Sequence, residues 1–437
     1  MYRNISRLVV YRNIDPDGIL FQLADIFRRF DSGQYQKEML ISEIFVQIHR
    51  LLDVATVNGF DRNLWHNYLA YLLATTENPF SLTCEKAGAR QGSVNQLATS
   101  DFRIFKELFD YDFSTIEQAL EINCFSLISN YQAIAKDQKK YNKSVSEKVR
   151  SLSESIENAP DAEAVFQVVT DFYRDHGVGR FGLNKVFRLK EDGGGLELEP
   201  VTNTVEVFLS DLVGYETQKQ MLVANTESFI QGKRSNNLLL YGDSGTGKST
   251  CIKALINEYH GSGLRIIEIY KHQFKDLSTV ISMIKNRNYR FIIFMDDLSF
   301  EDFEIEYKYL KAVIEGGMEI TPDNVLIYAT SNRRHLIRET WTDRKDAVNE
   351  DDIHHSDTAE EKISLVNRFG VTIRFAKPNQ QEYLEIVKGI ARRYPEITMS
   401  EDQLAKEAYQ WGMWHGNISG RRAQQFINYL LGRVPDQ

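Results

Sequence analysis

A chain of 437 residues, 42% hydrophobic and 26% charged, can bury ordinary apolar cores and is long enough for two or three domains. Its 52 basic and 61 acidic residues leave a net charge of −9, which argues against a protein that coats nucleic acid by bulk charge and leaves a local basic groove open. No apolar run is long enough to span a membrane, and Leu8-Val9-Val10-Tyr11 is too short for a signal peptide. Cys84, Cys124 and Cys251 are widely spaced and form no C-x-x-C pair, so they are expected as reduced thiols of a cytoplasmic protein.

The first 200 residues read as a mainly helical domain. Apolar residues recur at spacings of three and four over Ile19 to Phe30, Glu38 to Leu52, Asn63 to Leu73 and Ile116 to Ile134. Pro160-Asp161 marks the start of a further amphipathic helix from Ala162 to Tyr173. Phe105, Phe109, Tyr111 and Phe113 have a spacing that suits a core as well as an interface. A glycine-rich turn at Gly177 to Gly182 follows. Glu191-Asp192-Gly193-Gly194-Gly195 then reads as a hairpin tip or a linker, across which Leu196 to Val201 can pair with Val186 to Lys190, with a domain boundary near residue 200.

Residues 201–377 change in character. Five short apolar runs alternate with helical patterns: Leu238 to Tyr241, Arg265 to Tyr270, Arg290 to Met295, Asn324 to Thr330 and Val371 to Phe375. Continuous apolar strands flanked by helices predict a five-stranded parallel sheet covered on both faces. Residues 378–437 return to helices at Gln381 to Arg393, Ser400 to Trp414 and Ser419 to Leu431, read as a helical lid. The pattern therefore gives an α/β core with a C-terminal helical lid and a helical N-terminal domain; Gly242 to Ser249, between the first apolar run and its helix, give that core the loop of a P-loop NTPase.

Gly242-Asp243-Ser244-Gly245-Thr246-Gly247-Lys248-Ser249 fits G-x-x-x-x-G-K-[ST] at every fixed position, and Thr250 continues it into a helix. Glycines let the backbone curl so that successive N–H groups face phosphate oxygens, and the following helix offers its positive end to the same oxygens. Lys248 is expected to reach the outer phosphates of ATP. The Ser249 hydroxyl is expected on Mg²⁺, a hard cation that prefers oxygen ligands.

Phe291 to Met295 runs into Asp296-Asp297, and a carboxylate at the mouth of a buried strand needs a partner. Asp296 is assigned to the Mg²⁺ shell through water, and Asp297 to orienting the attacking water. Val325 to Ala329 ends in Thr330-Ser331-Asn332 on the same side of the sheet, so Asn332 is a candidate for holding water or the terminal phosphate.

These residues resemble the AAA+ class of ATPases over about Asp211 to Leu431. The resemblance implies that Asp211-Leu212-Val213-Gly214-Tyr215 lines the adenine with its backbone, notably Val213 and Gly214. It places Asn332 as sensor 1, Arg368 of Val366-Asn367-Arg368-Phe369-Gly370 as an arginine finger, and Arg421, with Arg422 as substitute, as sensor 2. More narrowly, Arg180 to Asn184, Asp296 to Glu301 and Ser331 to His335 are similar to a bacterial AAA+ family of uncharacterised ATP-binding proteins catalogued as domain of unknown function 815. That class commonly carries Glu where this chain has Asp297. The shorter side chain predicts slow hydrolysis, with Glu301 as a possible substitute. A finger acting in trans implies a homo-oligomer.

The expected function is a slow ATP-dependent switch, loader or protein-remodelling factor, with an unknown protein partner on the N-terminal domain. Lys271 to Lys275, where threading ATPases place an aromatic and glycine loop, lacks glycine, which disfavours threading. Arg333-Arg334-His335 with Arg338, and Lys139-Lys140 with Lys143, keep a nucleic-acid-associated ATPase open as an alternative. A small-molecule P-loop kinase is a further alternative. The acidic segment 342–361, with His354-His355, reads as a solvated loop or, alternatively, a metal site.

Overall fold

The computed structural model describes residues 1–89, 92–133, 143–192, 195–202, 204–300, 304–315, 322–332, 336, 365–416 and 418–433. The chain divides into two compact units: Met1–Lys185 with Pro200–Asn203, and Val186–Glu199 with Thr204–Gln437. That division falls after Lys185, earlier than the boundary expected near residue 200.

The first unit is helical. Ile19–Ser32 buries Leu20, Leu23, Ala24 and Phe27 and stops at Gly33, whose φ of +69° ends the helix in the left-handed region. Asn63 caps Leu64–Thr75, Asn78 and Ser81 form a capping box on Pro79–Ala87, and Asp161 caps Ala162–His176. Phe105, Phe109 and Phe113 are buried, so that aromatic run is largely core. Phe113 stacks on Phe125 at 4.4 Å, and both rings meet Phe27. The single helix expected over Ile116 to Ile134 is instead two short ones, Ser114–Leu120 and Cys124–Ser129. Glu121 at φ +57° turns the chain between them. Asp101, in the helix Ser93–Phe109, has 0% exposure. It accepts the backbone N–H groups of Val9, Val10 and Tyr11, the last two at 2.7 and 2.9 Å.

The second unit is built on a seven-stranded sheet in the order β2-β1-β4-β5-β6-β3-β7. The strands are β1 (Val186–Asp192), β2 (Gly195–Pro200), β3 (Leu238–Gly242), β4 (Leu264–Glu268), β5 (Arg290–Met295), β6 (Val325–Ser331) and β7 (Val371–Phe375). The sheet is larger than the five strands expected because β1 pairs in parallel with β4, Val186 opposite Ile266, and so carries the predicted hairpin segment onto its edge. The other five strands run parallel, with β3 between β6 and β7. β6 is buried along its whole length, as a strand covered on both faces requires. The chain leaves β3 toward β4 on one side and reaches β7 on the other, which opens a crevice at the strand ends beside β3.

Three C-terminal helices, Gln380–Ala391, Glu401–Trp414 and Gly420–Leu431, follow the last strand. Asn379, Ser400 and Ser419 cap them in turn. They share a core of Tyr383, Ile386, Val387, Leu404, Phe426 and Ile427, and Val213 packs against it. Among the described residues no helix is long and apolar enough to cross a membrane.

Candidate functional site

The crevice beside β3 is shaped first by glycines. Gly242 stands at φ +134°, and a Cβ there would lie 2.1 Å from the carbonyl oxygen of Phe375, so a side chain would part β3 from β7. Gly245 at φ +78° and Gly247 at φ +93° curl the loop in the left-handed region before the helix Lys248–Tyr259 begins. At the start of any helix the first N–H groups have no carbonyl one turn earlier to bond, and here Gly247 supplies no side-chain cap for them.

Lys248 is only 6% exposed, yet its ammonium points into the crevice. It donates to the carbonyls of Gly242 and Asp243 at 2.9 and 2.7 Å and to Oδ1 of Asn332 at 3.0 Å. Burial pushes its pKa below the ordinary lysine value, against the opposing pull of Asp243, Asp297 and Asp296. Asn332 in turn donates from Nδ2 to Oδ1 of Asp297 at 2.7 Å. One amide therefore bridges the lysine and the second carboxylate.

The first carboxylate has its own partners. Ser249 donates to Oδ1 of Asp296 at 2.5 Å, Thr330 donates to the same oxygen at 2.7 Å, and Nζ of Lys253 lies 3.8 Å from Oδ2. Asp297 sits at φ +53°, a conformation uncommon for a residue with a side chain, immediately after β5.

The opposite wall is apolar and comes from two separate stretches. Lys219 donates to the carbonyl of Leu212 at 2.6 Å, and Tyr215 donates from its hydroxyl to the carbonyl of Ala376 at 2.8 Å, which together fix residues 211–215. A Cβ on Gly389 would meet Cγ2 of Val213 at 2.4 Å, so the helix Gln380–Ala391 lies tight against this stretch. Ile386 and Ile390 complete the wall. The helix Gly420–Leu431 reaches the loop end: the backbone N–H of Arg421 donates to the carbonyl of Gly245 at 3.0 Å. The open cavity between these walls has a volume of about 550 Å³, which falls within the roughly 300–1,000 Å³ typical of small-molecule sites.

The donor set suits a nucleotide and a magnesium ion. The left-handed backbone of Gly245 and Gly247 lets the loop curl with its N–H groups available to phosphate oxygens, and the Leu212, Val213, Ile386 and Ile390 wall suits a flat base. Ser249 and Asp296 offer hard oxygens. Among the described residues no group of three or more His, Cys, Asp or Glu could hold a metal ion by itself. Mg²⁺ characteristically takes few protein ligands and fills its shell with water and phosphate, so one hydroxyl and one carboxylate fit it.

Ser244, Gly245, Thr246, Gly247, Lys248, Ser249 and Thr250 line this cavity with Val213, Gly214, Asp296, Asp297, Asn332 and Arg421. Gly242 and Asp243 do not line it; their carbonyls hold Lys248, and the Asp243 carboxylate accepts the backbone N–H of Lys377 at 2.8 Å. Arg368 stands outside the cavity, ion-paired with Glu315 of the same chain. Arg422 turns away to Gln425 at 2.7 Å. Glu301, Arg333-Arg334-His335 with Arg338, Lys139-Lys140, and the segment 342–361 with His354-His355 lie outside the described residues. Sequence alone gives no role to Thr330, Lys219 or Lys253; only the polar end of the third apolar run hints at the first of them.

A family model described as "Protein of unknown function (DUF815)" matches residues 183–434, more than half of the chain. A curated relative, the replication factor C large subunit of Staphylothermus marinus, is 35% identical over 68 residues, and the match spans 15% of this chain and 15% of that protein. Among solved structures, a single-residue variant of Thermotoga maritima RuvB is 16% identical with a TM-score of 0.32, over 51% of this chain and 72% of its own. The T. maritima RuvB Holliday junction branch migration motor is 15% identical with a TM-score of 0.31, over the same shares.

Proposed function

The chain belongs to the DUF815 family, and we propose that it is an AAA+ ATPase of the cytoplasm that binds ATP with Mg²⁺ in the cavity beside β3. The observation that carries this reading is the meeting of Lys248, Ser249, Asp296, Asp297 and Asn332 around one glycine-walled loop. Lys248 binds the outer phosphates. Ser249 and Asp296 hold Mg²⁺, the second through water, and the ion offsets phosphate charge. Val213 and Gly214 lie along the adenine, under a lid formed by residues 378–437.

In this reading Asp297 orients a water whose oxygen attacks the terminal phosphorus while the bond to the bridging oxygen of ADP breaks. The water's proton passes to Asp297. Asn332 positions that water, and Arg421 steadies the phosphate from the lid. Arg368 neutralises transition-state charge on a neighbouring copy, so the active form is a homo-oligomer; its pairing with Glu315 in a single chain is compatible with a role away from its own cavity. The short Asp297 side chain makes turnover slow, which suits a switch, a loader or a remodelling factor. The helical domain expected over 1–200 recruits a protein partner to the core at 201–377.

The test is nucleotide binding and phosphate release by the full chain without any added acceptor. Wild type is expected to bind ATP and release phosphate slowly, and Asp297→Asn to bind ATP as wild type does with turnover lower by about a hundredfold. Phosphate release only on addition of a small acceptor would replace the ATPase by a kinase, and turnover of tens per second would remove the slow switch. A second reading, an ATPase acting at nucleic acid, draws support from the short similarity to a replication factor C large subunit. It requires a salt-sensitive shift of labelled DNA, and no shift at low salt ends it.

A further inference from the structure

We propose that Thr330 is a positioning residue that sets both carboxylates of the cavity through a single hydroxyl; the inference rests on the ATPase reading above. Thr330 is 2% exposed within β6. Its Oγ1 accepts the backbone N–H of Asp297 at 2.9 Å, so its own proton must point elsewhere, and it points to Oδ1 of Asp296 at 2.7 Å. Its carbonyl accepts the N–H of Leu298 at 2.7 Å. The two ends of one residue thus bracket Asp297, whose φ of +53° needs outside support to persist.

Two consequences follow for the charges. With Ser249 and Thr330 both donating to Oδ1 of Asp296, the carboxylate has one rotation, and Oδ2 is directed toward Lys253. With its backbone fixed, Asp297 delivers its side chain to Asn332 and not into the sheet. The hydroxyl therefore acts on the metal-binding group and on the water-orienting group together. Threonine in a buried strand also has an ordinary use, as a β-branched residue that packs well. Valine preserves that shape and removes the hydroxyl, so Thr330→Val separates the two roles.

The experiment uses the full chain and three readouts: binding of a fluorescent ATP analogue in EDTA, the metal requirement by titration of Mg²⁺ and by Mn²⁺ electron paramagnetic resonance with the analogue bound, and steady-state turnover. Thr330→Val is expected to bind the analogue in EDTA as wild type does, because the loop and Lys248 are untouched. Its metal requirement is expected to rise about tenfold, as the loss of one hydrogen bond to a charged group implies. Turnover is expected to fall with KM for ATP at saturating metal unchanged, and Thr330→Ser to restore both. A valine protein with wild-type metal requirement and turnover overturns the proposal. So does one that loses metal-free binding in the same proportion, which would mark a packing role, or a serine protein that rescues nothing. Should the valine protein not fold, Thr330→Ala is read against the same outcomes. A wild type that binds no nucleotide removes the ATPase reading and this proposal with it, whereas a binding wild type matched by the valine protein removes this proposal alone.

Discussion

Asp101 in the helical unit and Lys248 in the sheet unit are both charged side chains almost out of reach of water, and the two are satisfied in opposite ways. Asp101 in the helical unit is 0% exposed and its oxygens take three backbone N–H groups from residues 9–11. Every donor comes from the unit's own chain, and the surroundings are core. Lys248 in the sheet unit is 6% exposed and is satisfied by two loop carbonyls and one amide oxygen, beside a cavity of about 550 Å³. Burial shifts both groups toward neutrality, raising the Asp101 carboxyl and lowering the Lys248 ammonium. A closed charge of the first kind holds a fold together. One of the second kind has partners that an incoming anion can outcompete, which is the property a phosphate site needs.

Four substitutions can break or sharpen this contrast. Asp101→Ala orphans three backbone N–H groups and should lower the stability of the helical unit by about 4 kcal/mol, read by denaturant unfolding, with nucleotide affinity at its wild-type value under native conditions. Lys248→Ala should show the inverse pattern. Losing a charge-assisted contact to phosphate reduces ATP affinity by about a hundredfold, while the melting temperature without nucleotide stays within a few degrees of wild type. If both variants lost stability equally, the distinction between closed and open charges would be gone. Gly242→Ala tests the cradle itself. A Cβ placed 2.1 Å from the Phe375 carbonyl oxygen should cost about 2 kcal/mol of stability, and weaker ATP binding should accompany it. Tyr11→Phe is the mildest. Tyr11 and Tyr173 share a buried 2.7 Å hydroxyl contact, and its loss should cost about 1 kcal/mol with no change in nucleotide binding.

The two units also differ in how far they are legible from sequence. The glycine loop is local: eight consecutive residues, Gly242 to Ser249, carry the whole pattern, and Gly245 and Gly247 take the left-handed backbone expected of it. Asp296, Asp297 and Asn332 are placed because parallel strands end on the same side of a sheet, a rule that needs only the strand assignments. Thr330 escapes because its role is set by two partners 33 and 34 residues away, across β5 and β6. The pairing of Arg368 with Glu315 likewise joins residues far apart in sequence that no motif links. In the helical unit the amphipathic stretches are legible, whereas the break at Glu121 is not, since glutamate gives no turn signal and tertiary packing imposes the left-handed backbone. The strands from residue 186 onward are recognisable as strands, but nothing local tells that β1 extends the sheet beside β4.

The bond from the Arg421 N–H to the Gly245 carbonyl is a single neutral hydrogen bond between the third C-terminal helix and the phosphate loop. Such a bond contributes about 1 kcal/mol, which corresponds to roughly a fivefold bias between two arrangements. It ties the start of that helix to a loop glycine whose own backbone is left-handed, at φ +78°. A ligand pressing on Gly245 would change the helix's resting angle, and a push on the helix from elsewhere would change the grip on the ligand by the same factor, since the coupling is reciprocal. A hydrogen bond of this size couples the two backbones by only a few-fold in either direction.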